Sequence, residues 1–225
     1  MTNLPASPPA PRLIPALWLG SGGQVMVPSE DRLVAAVDAR GRPLDLFETA
    51  DRLTREHGRI YLHDLEGLRR GKAQLDYIQE IAREAELWVD AGIQDAGDAT
   101  DIIVAGATRA VLSTERLRGA RELSRAWKLT PDVLLEIKQE SGALSARGDG
   151  WAASPALVAA EARELGVGEL LLNYGDGPVD WEGLRRLSEG GPCWVSRGYE
   201  LSAETQLLRS GAAGAVVDYV FSPEA

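Results

Sequence analysis

Trp88-Val89-Asp90-Ala91-Gly92 opens a stretch that the chain states twice. The first copy runs through a polar turn and a helical segment to Gly106-Ala107-Thr108-Arg109-Ala110-Val111-Leu112. The second begins Trp194-Val195-Ser196-Arg197-Gly198 and reaches Gly211-Ala212-Ala213-Gly214-Ala215-Val216-Val217. Each reads as a short apolar strand, a loop with glycine, an amphipathic helix and a second apolar strand. A βαβ unit repeated about half a chain apart predicts two similar halves joined in one parallel sheet.

Working outward, further strands are predicted at Leu13–Trp18, Arg59–Asp64, Val133–Lys138 and Glu169–Asn173. Between them lie helical patterns over Leu44–Glu56, along the Leu75, Ile78, Ala82 and Ala85 face, and along the Leu117, Ala120, Ser124 and Trp127 stripe. Ser154-Pro155 supplies a helix start, with serine as cap and proline in the first turn. Gly22 and Gly142 each follow a strand and open a short hairpin arm, Gln24–Val27 and Ser141–Leu144. Eight strands alternating with helices in chain order predict an α/β fold, a (β/α)8 barrel built from two similar half-barrels, with a doubly wound sheet as the alternative. The proline-rich segment 1–12 reads as a flexible tail and 13–225 as one barrel domain. Nothing helical follows the last strand, so the final helix is predicted to be short or missing. The groove it would cover would then need the N-terminal tail or another subunit, and a dimer or a component of a larger complex is expected.

Composition narrows the partners. The formal charge of −10 disfavours nucleic acid and anionic membrane surfaces. No apolar run is long enough to span a bilayer, and the N-terminal segment lacks the layout of a signal peptide, so a cytoplasmic protein is expected. Cys193 is the sole cysteine, which excludes an internal disulfide, and it reads as a buried inert thiol. No His, Cys, Asp and Glu grouping has metal-ligand spacing; no metal and no cofactor are expected.

Several stretches resemble the HisA/HisF family, the histidine-biosynthesis barrels made of two similar halves. Ile14-Pro15-Ala16 with the Gly22 arm resembles its first strand, and Asp64-Leu65-Glu66-Gly67 its Asp-Leu-Asp-Gly signature. Val89-Asp90-Ala91-Gly92-Ile93 resembles its third-strand loop, and Ser113-Thr114-Glu115 its Gly-Thr after strand four. Val195-Ser196-Arg197-Gly198 and Ala213-Gly214-Ala215-Val216-Val217 fall where its strands seven and eight belong. The resemblance implies an acid/base pair of aspartates at the ends of strands one and five, and phosphate sites after strands three and four and after seven and eight. Aligned on the two glycine arms, those carboxylate places hold Trp18 and Lys138. Tryptophan cannot take and return a proton, so the family's standard isomerisation or cyclisation is not expected.

What is left predicts a diverged enzyme of isomerase or lyase type. Its substrate would be a small phosphorylated or carboxylated carbonyl compound, a small anionic metabolite. Glu136 and Lys138, two apart on one strand, face the same way. Lys138 is a candidate base or imine-forming amine, or else half of a structural pair with Glu136. Asp64 and Asp176 are expected to assist, with Trp18, Gly92, Ser113, Thr114, Arg197 and Gly198 lining the ligand site. Alternation from Asp64 turns His63 toward the helices. The alternative function is a barrel without catalysis that serves as a partner-binding or structural subunit.

Overall fold

A computed structural model describes residues 12–29, 32–196 and 203–219. Its parallel strands are β1 (Arg12–Leu19), β4 (Arg59–Asp64), β5 (Glu86–Asp90), β6 (Arg109–Ser113), β7 (Val133–Glu140), β9 (Leu170–Asn173), β10 (Cys193–Ser196) and β11 (Gly214–Asp218). They pair in that order, and β11 pairs back onto β1 from Arg12–Gly214 to Ala16–Asp218, which closes the ring. Followed from partner to partner once around, the register returns to β1 with the stagger of about eight residues that defines a (β/α)8 barrel.

Helices α1 (Leu46–His57), α2 (Leu65–Arg70), α3 (Leu75–Ile81), α4 (Ala96–Val104), α5 (Ala120–Leu129), α6 (Pro155–Leu165), α7 (Trp181–Ser188) and α8 (Glu204–Ser210) lie between the strands. Their ends follow from the sequence. Asp45 accepts from the amides of Phe47 and Glu48 to start α1, and Gly58, at φ 74°, stops it. Ser154 and Pro155 open α6 as their types require. Both predicted arms form: β2 (Val25–Ser29) folds back antiparallel on β1 and β8 (Ala143–Leu144) on β7. The strand β3 (Arg32–Ala35) extends the first arm, and the short helix α2 was not anticipated by any periodic pattern. The described chain ends at Tyr219, one residue past β11, so the expectation of a short or missing final helix concerns residues outside it.

Alternation divides the strands into two buried sets. Leu17, Ile60, Leu62, Val89, Leu112, Leu135 and Leu172 face outward under the helices. Ile14, Ala16, Tyr61, Trp88, Val111, Leu134, Leu171, Trp194 and Val216 fill the inside. The two tryptophans of the repeated stretch meet there edge to face, ring centroids 5.0 Å apart. The Arg59 guanidinium lies 4.6 Å from one ring and 5.6 Å from the other. These side chains pack the inside of the barrel, and a (β/α)8 barrel places its ligands at the strands' C-terminal ends. No helix among the described residues is long and apolar enough to cross a membrane.

Candidate active site at the barrel mouth

Above the apolar plug the inward residues turn polar. Trp18 (β1), His63 (β4), Asp90 (β5), Ser113 (β6), Glu136 and Lys138 (β7) and Asn173 (β9) line a cavity of about 200 Å³ with Leu68, Glu115 and Arg116. Register explains the gathering: Trp18 is opposite His63 and His63 opposite Asp90, while Ser113 is opposite Glu136 and Lys138 opposite Asn173. The polar side chains therefore form two runs along the mouth, one on β1, β4 and β5 and one on β6, β7 and β9.

On one side, the His63 and Trp18 rings stack with centroids 3.7 Å apart and planes 18° from parallel. The indole N–H of Trp18 donates to Asp218 Oδ1 at 2.8 Å, which fixes the stack. His63 Nδ1 lies 3.3 Å from Asp90 Oδ2, close enough for charge attraction but without hydrogen-bond alignment. With Nδ1 turned to Asp90, Nε2 is the nitrogen left for a ligand.

On the other side, Glu136 is 5% exposed, and its Oε1 accepts from Asn173 Nδ2 at 2.8 Å. Burial, reinforced by the nearby Asp90 charge, pushes its carboxyl above the ordinary range, against opposing hydrogen bonds from Asn173 and Ser113. Burial of this kind favours the protonated form of a carboxyl over its charged form. Lys138 is placed with Nζ 3.8 Å from Glu115 Oε2. Its ionic partner is thus Glu115, and the Glu136–Lys138 pair considered from sequence is not formed. Arg116 is steered by its Nη1 donating to Leu68 O at 3.2 Å. Below the cavity, Tyr61 is fully buried, and its phenol is pushed well above the usual range by burial and by the Asp90 and Glu136 charges.

The family model described as Histidine biosynthesis protein matches residues 12–182, most of the barrel. The chain belongs to the histidine biosynthesis protein family. No curated protein matches it.

In this family member the two positions that the resemblance assigns to carboxylates, Trp18 and Lys138, both line the cavity. Glu136 and Ser113 line it as well. His63 corrects the strand phase read from sequence: Tyr61 and His63 point inward, and Asp64 is the residue turned away. Asp64 caps α2, with Oδ1 accepting from the Glu66 and Gly67 amides and from Gln74 Nε2, and Oδ2 from the Gln74 amide at 2.6 Å. With those bonds made, it has no side toward the mouth. Asp176 is exposed on the turn after β9 and is not among the cavity residues. Thr114 is buried, and its hydroxyl donates to Ser145 O at 2.8 Å and accepts from the Lys138 amide at 3.1 Å. It fastens the β7–β8 arm.

Gly92, at φ 67°, packs on α2, where a Cβ would stand 2.9 Å from Gly67 O and Leu68 Cα. Arg197 and Gly198 lie outside the described residues. Sequence reasoning did not single out Glu115 or Arg116 as site residues. The available signal was position: each stands at, or just after, the C-terminal end of a barrel strand.

Proposed function

We propose that this mouth binds a small anionic carbonyl compound and moves a proton at the carbon beside the carbonyl, the step shared by isomerases and many lyases. The observation that supports it is one small cavity holding both a histidine backed by Asp90 and a buried carboxyl whose protonated form is favoured. His63 Nε2 takes the proton from carbon while Glu136 gives its own to the carbonyl oxygen, leaving an enol. Return of a proton to the neighbouring carbon completes an isomerisation; in a lyase the enol O–H proton goes back to Glu136 as the carbonyl re-forms, and the electron pair of the C=C expels a group from the next carbon, which leaves with the proton held on His63. Lys138 and Arg116 hold the anionic group, and Trp18 covers one face of the imidazole so that His63 acts through its edge. At about 200 Å³ the cavity is below the roughly 300–1,000 Å³ of pockets for drug-sized ligands, so the substrate has few atoms.

Solvent exchange tests this. In D2O the protein should speed deuterium uptake beside the carbonyl of pyruvate or dihydroxyacetone phosphate, read by mass spectrometry. His63→Asn and Glu136→Gln should each abolish the acceleration while binding persists. Binding of a probe without exchange by the intact protein would refute the reading in favour of a barrel that binds without catalysis.

A further inference from the structure

We infer that Asp218, at the end of β11, is a positioning residue for His63: through the Trp18 indole it sets the plane of the imidazole, and what that plane is used for rests on the proton-transfer reading above. His63 is short of anchors of its own. Its Nδ1 makes no hydrogen bond, and Asp90 Oδ2 lies 3.3 Å away but out of line. The outer torsion of a histidine side chain is broad, so without an aligned bond the angle of the ring is decided by what packs on it. Two rings do so. Tyr61 meets it tilted at 58°, centroids 4.8 Å apart, and offers no parallel surface. Trp18 lies 18° from parallel at 3.7 Å, and it is this face that defines the plane.

The indole needs fixing in its turn, because its outer torsion is equally broad. Its N–H donates to Asp218 Oδ1 at 2.8 Å, a charge-assisted bond made at the edge of the ring, where it holds the rotation best. Register brings the two together: Asp218 is opposite Ala16 on β1, and Trp18 is two residues further along that strand on the same face. The surroundings of Asp218 leave the carboxylate to the indole. It also lines a second cavity of about 260 Å³ beneath the first arm, among Val27, Val34, Ala36 and Val37, and no lysine or arginine is among the described residues there. The Tyr219 hydroxyl beside it donates to Glu56 Oε2 at 3.2 Å instead. Asp218, Trp18 and His63 thus form one line of support from β11 over β1 to β4, the kind of locked shell that holds a reacting group in place.

The test reads ring geometry and proton transfer separately in the full-length chain. Nuclear Overhauser cross-peaks between the Trp18 and His63 ring protons report the stack without any substrate, and His63→Asn tells the chain's two histidines apart. Asp218→Ala should weaken those cross-peaks and slow deuterium uptake into pyruvate about tenfold or more, since a reacting group misplaced by about 1 Å costs about a hundredfold. KM should stay unchanged, because Lys138 and Arg116 still hold the anion. Asp218→Asn, whose amide oxygen accepts the same bond, should restore both the stack and the rate. Trp18→Phe keeps a ring without the N–H and should match Asp218→Ala, and the double variant should be no worse than either single one. If Asp218→Ala melts lower yet keeps the cross-peaks and the wild-type rate, the bond only braces the seam and the inference is overturned; additive losses in the double variant overturn it too. Cross-peaks lost in Asp218→Ala, when the wild type itself exchanges no deuterium, would uphold the positioning of His63 and remove the proton transfer.

Discussion

Replacing Thr114 by valine keeps the shape of a fully buried side chain and deletes only its hydroxyl. That hydroxyl serves two backbone groups, donating to Ser145 O and accepting from the Lys138 amide, at 2.8 and 3.1 Å. Each buried group left without a partner costs about 1–3 kcal/mol, so Thr114→Val should lose about 3 kcal/mol in all. For a domain of this size about 2–4 °C of melting temperature goes with each kcal/mol, which gives a fall of about 6–12 °C. Thr114→Ser, which retains the hydroxyl, should recover most of it. Amide hydrogen exchange should speed up at Lys138 and Ser145 before the rest of the barrel. Because Lys138 emerges from the loosened segment, anion binding should weaken in step with stability. The reasoning fails if Thr114→Val melts with the wild type yet loses the ligand, since the hydroxyl would then be touching the ligand directly.

Two further outcomes follow from the mouth's electrostatics. Glu136 has a folded-state pKa raised above its ordinary 4.5, so its contribution to stability is full below that value and is lost as pH rises through the raised one. Glu136→Gln should therefore unfold at a higher temperature than wild type at pH 8, with the difference closing toward pH 4; a gap that widens in acid would contradict the burial argument. Borohydride reduction with pyruvate present should leave Lys138 unmodified if the ionic role proposed for it holds, since its Nζ already faces Glu115 at 3.8 Å. A reduced adduct at Lys138 in the peptide mass spectrum would instead make it an imine-forming nucleophile.

Most of the barrel was legible because its signals are local and repeat. Apolar strand cores, a proline at the start of α6 and the glycine arms each carry their own physical reason. The β7 alternation also reads correctly, since Glu136 and Lys138 share the inner face. Strand β4 does not, and the cause is specific. Asp64 is the strand's last residue and the cap of α2 at once, so its side chain obeys the helix's free amides. Counting inward from Asp64 inverts the strand; counting from buried, aromatic Tyr61 gives the right phase. Thr114 was misread for a related reason, because a buried hydroxyl at a strand end looks the same in sequence whether it meets a ligand or a carbonyl. The pairing of Lys138 with Glu115 depends on how the loop after β6 folds over the rim, and no spacing in the sequence encodes that.

The seam between β1 and β11 has a mechanical consequence. These strands run parallel with five residue pairs in register, from Arg12–Gly214 to Ala16–Asp218, and the Trp18 indole bonds across to Asp218 at the upper end. A pull applied to the start of β1 and the end of β11 drags the two strands past one another along their length. Every rung is then loaded at once and none can be peeled open first. The barrel should therefore resist tension between those two points far better than tension applied across the seam, where its bonds would open one at a time.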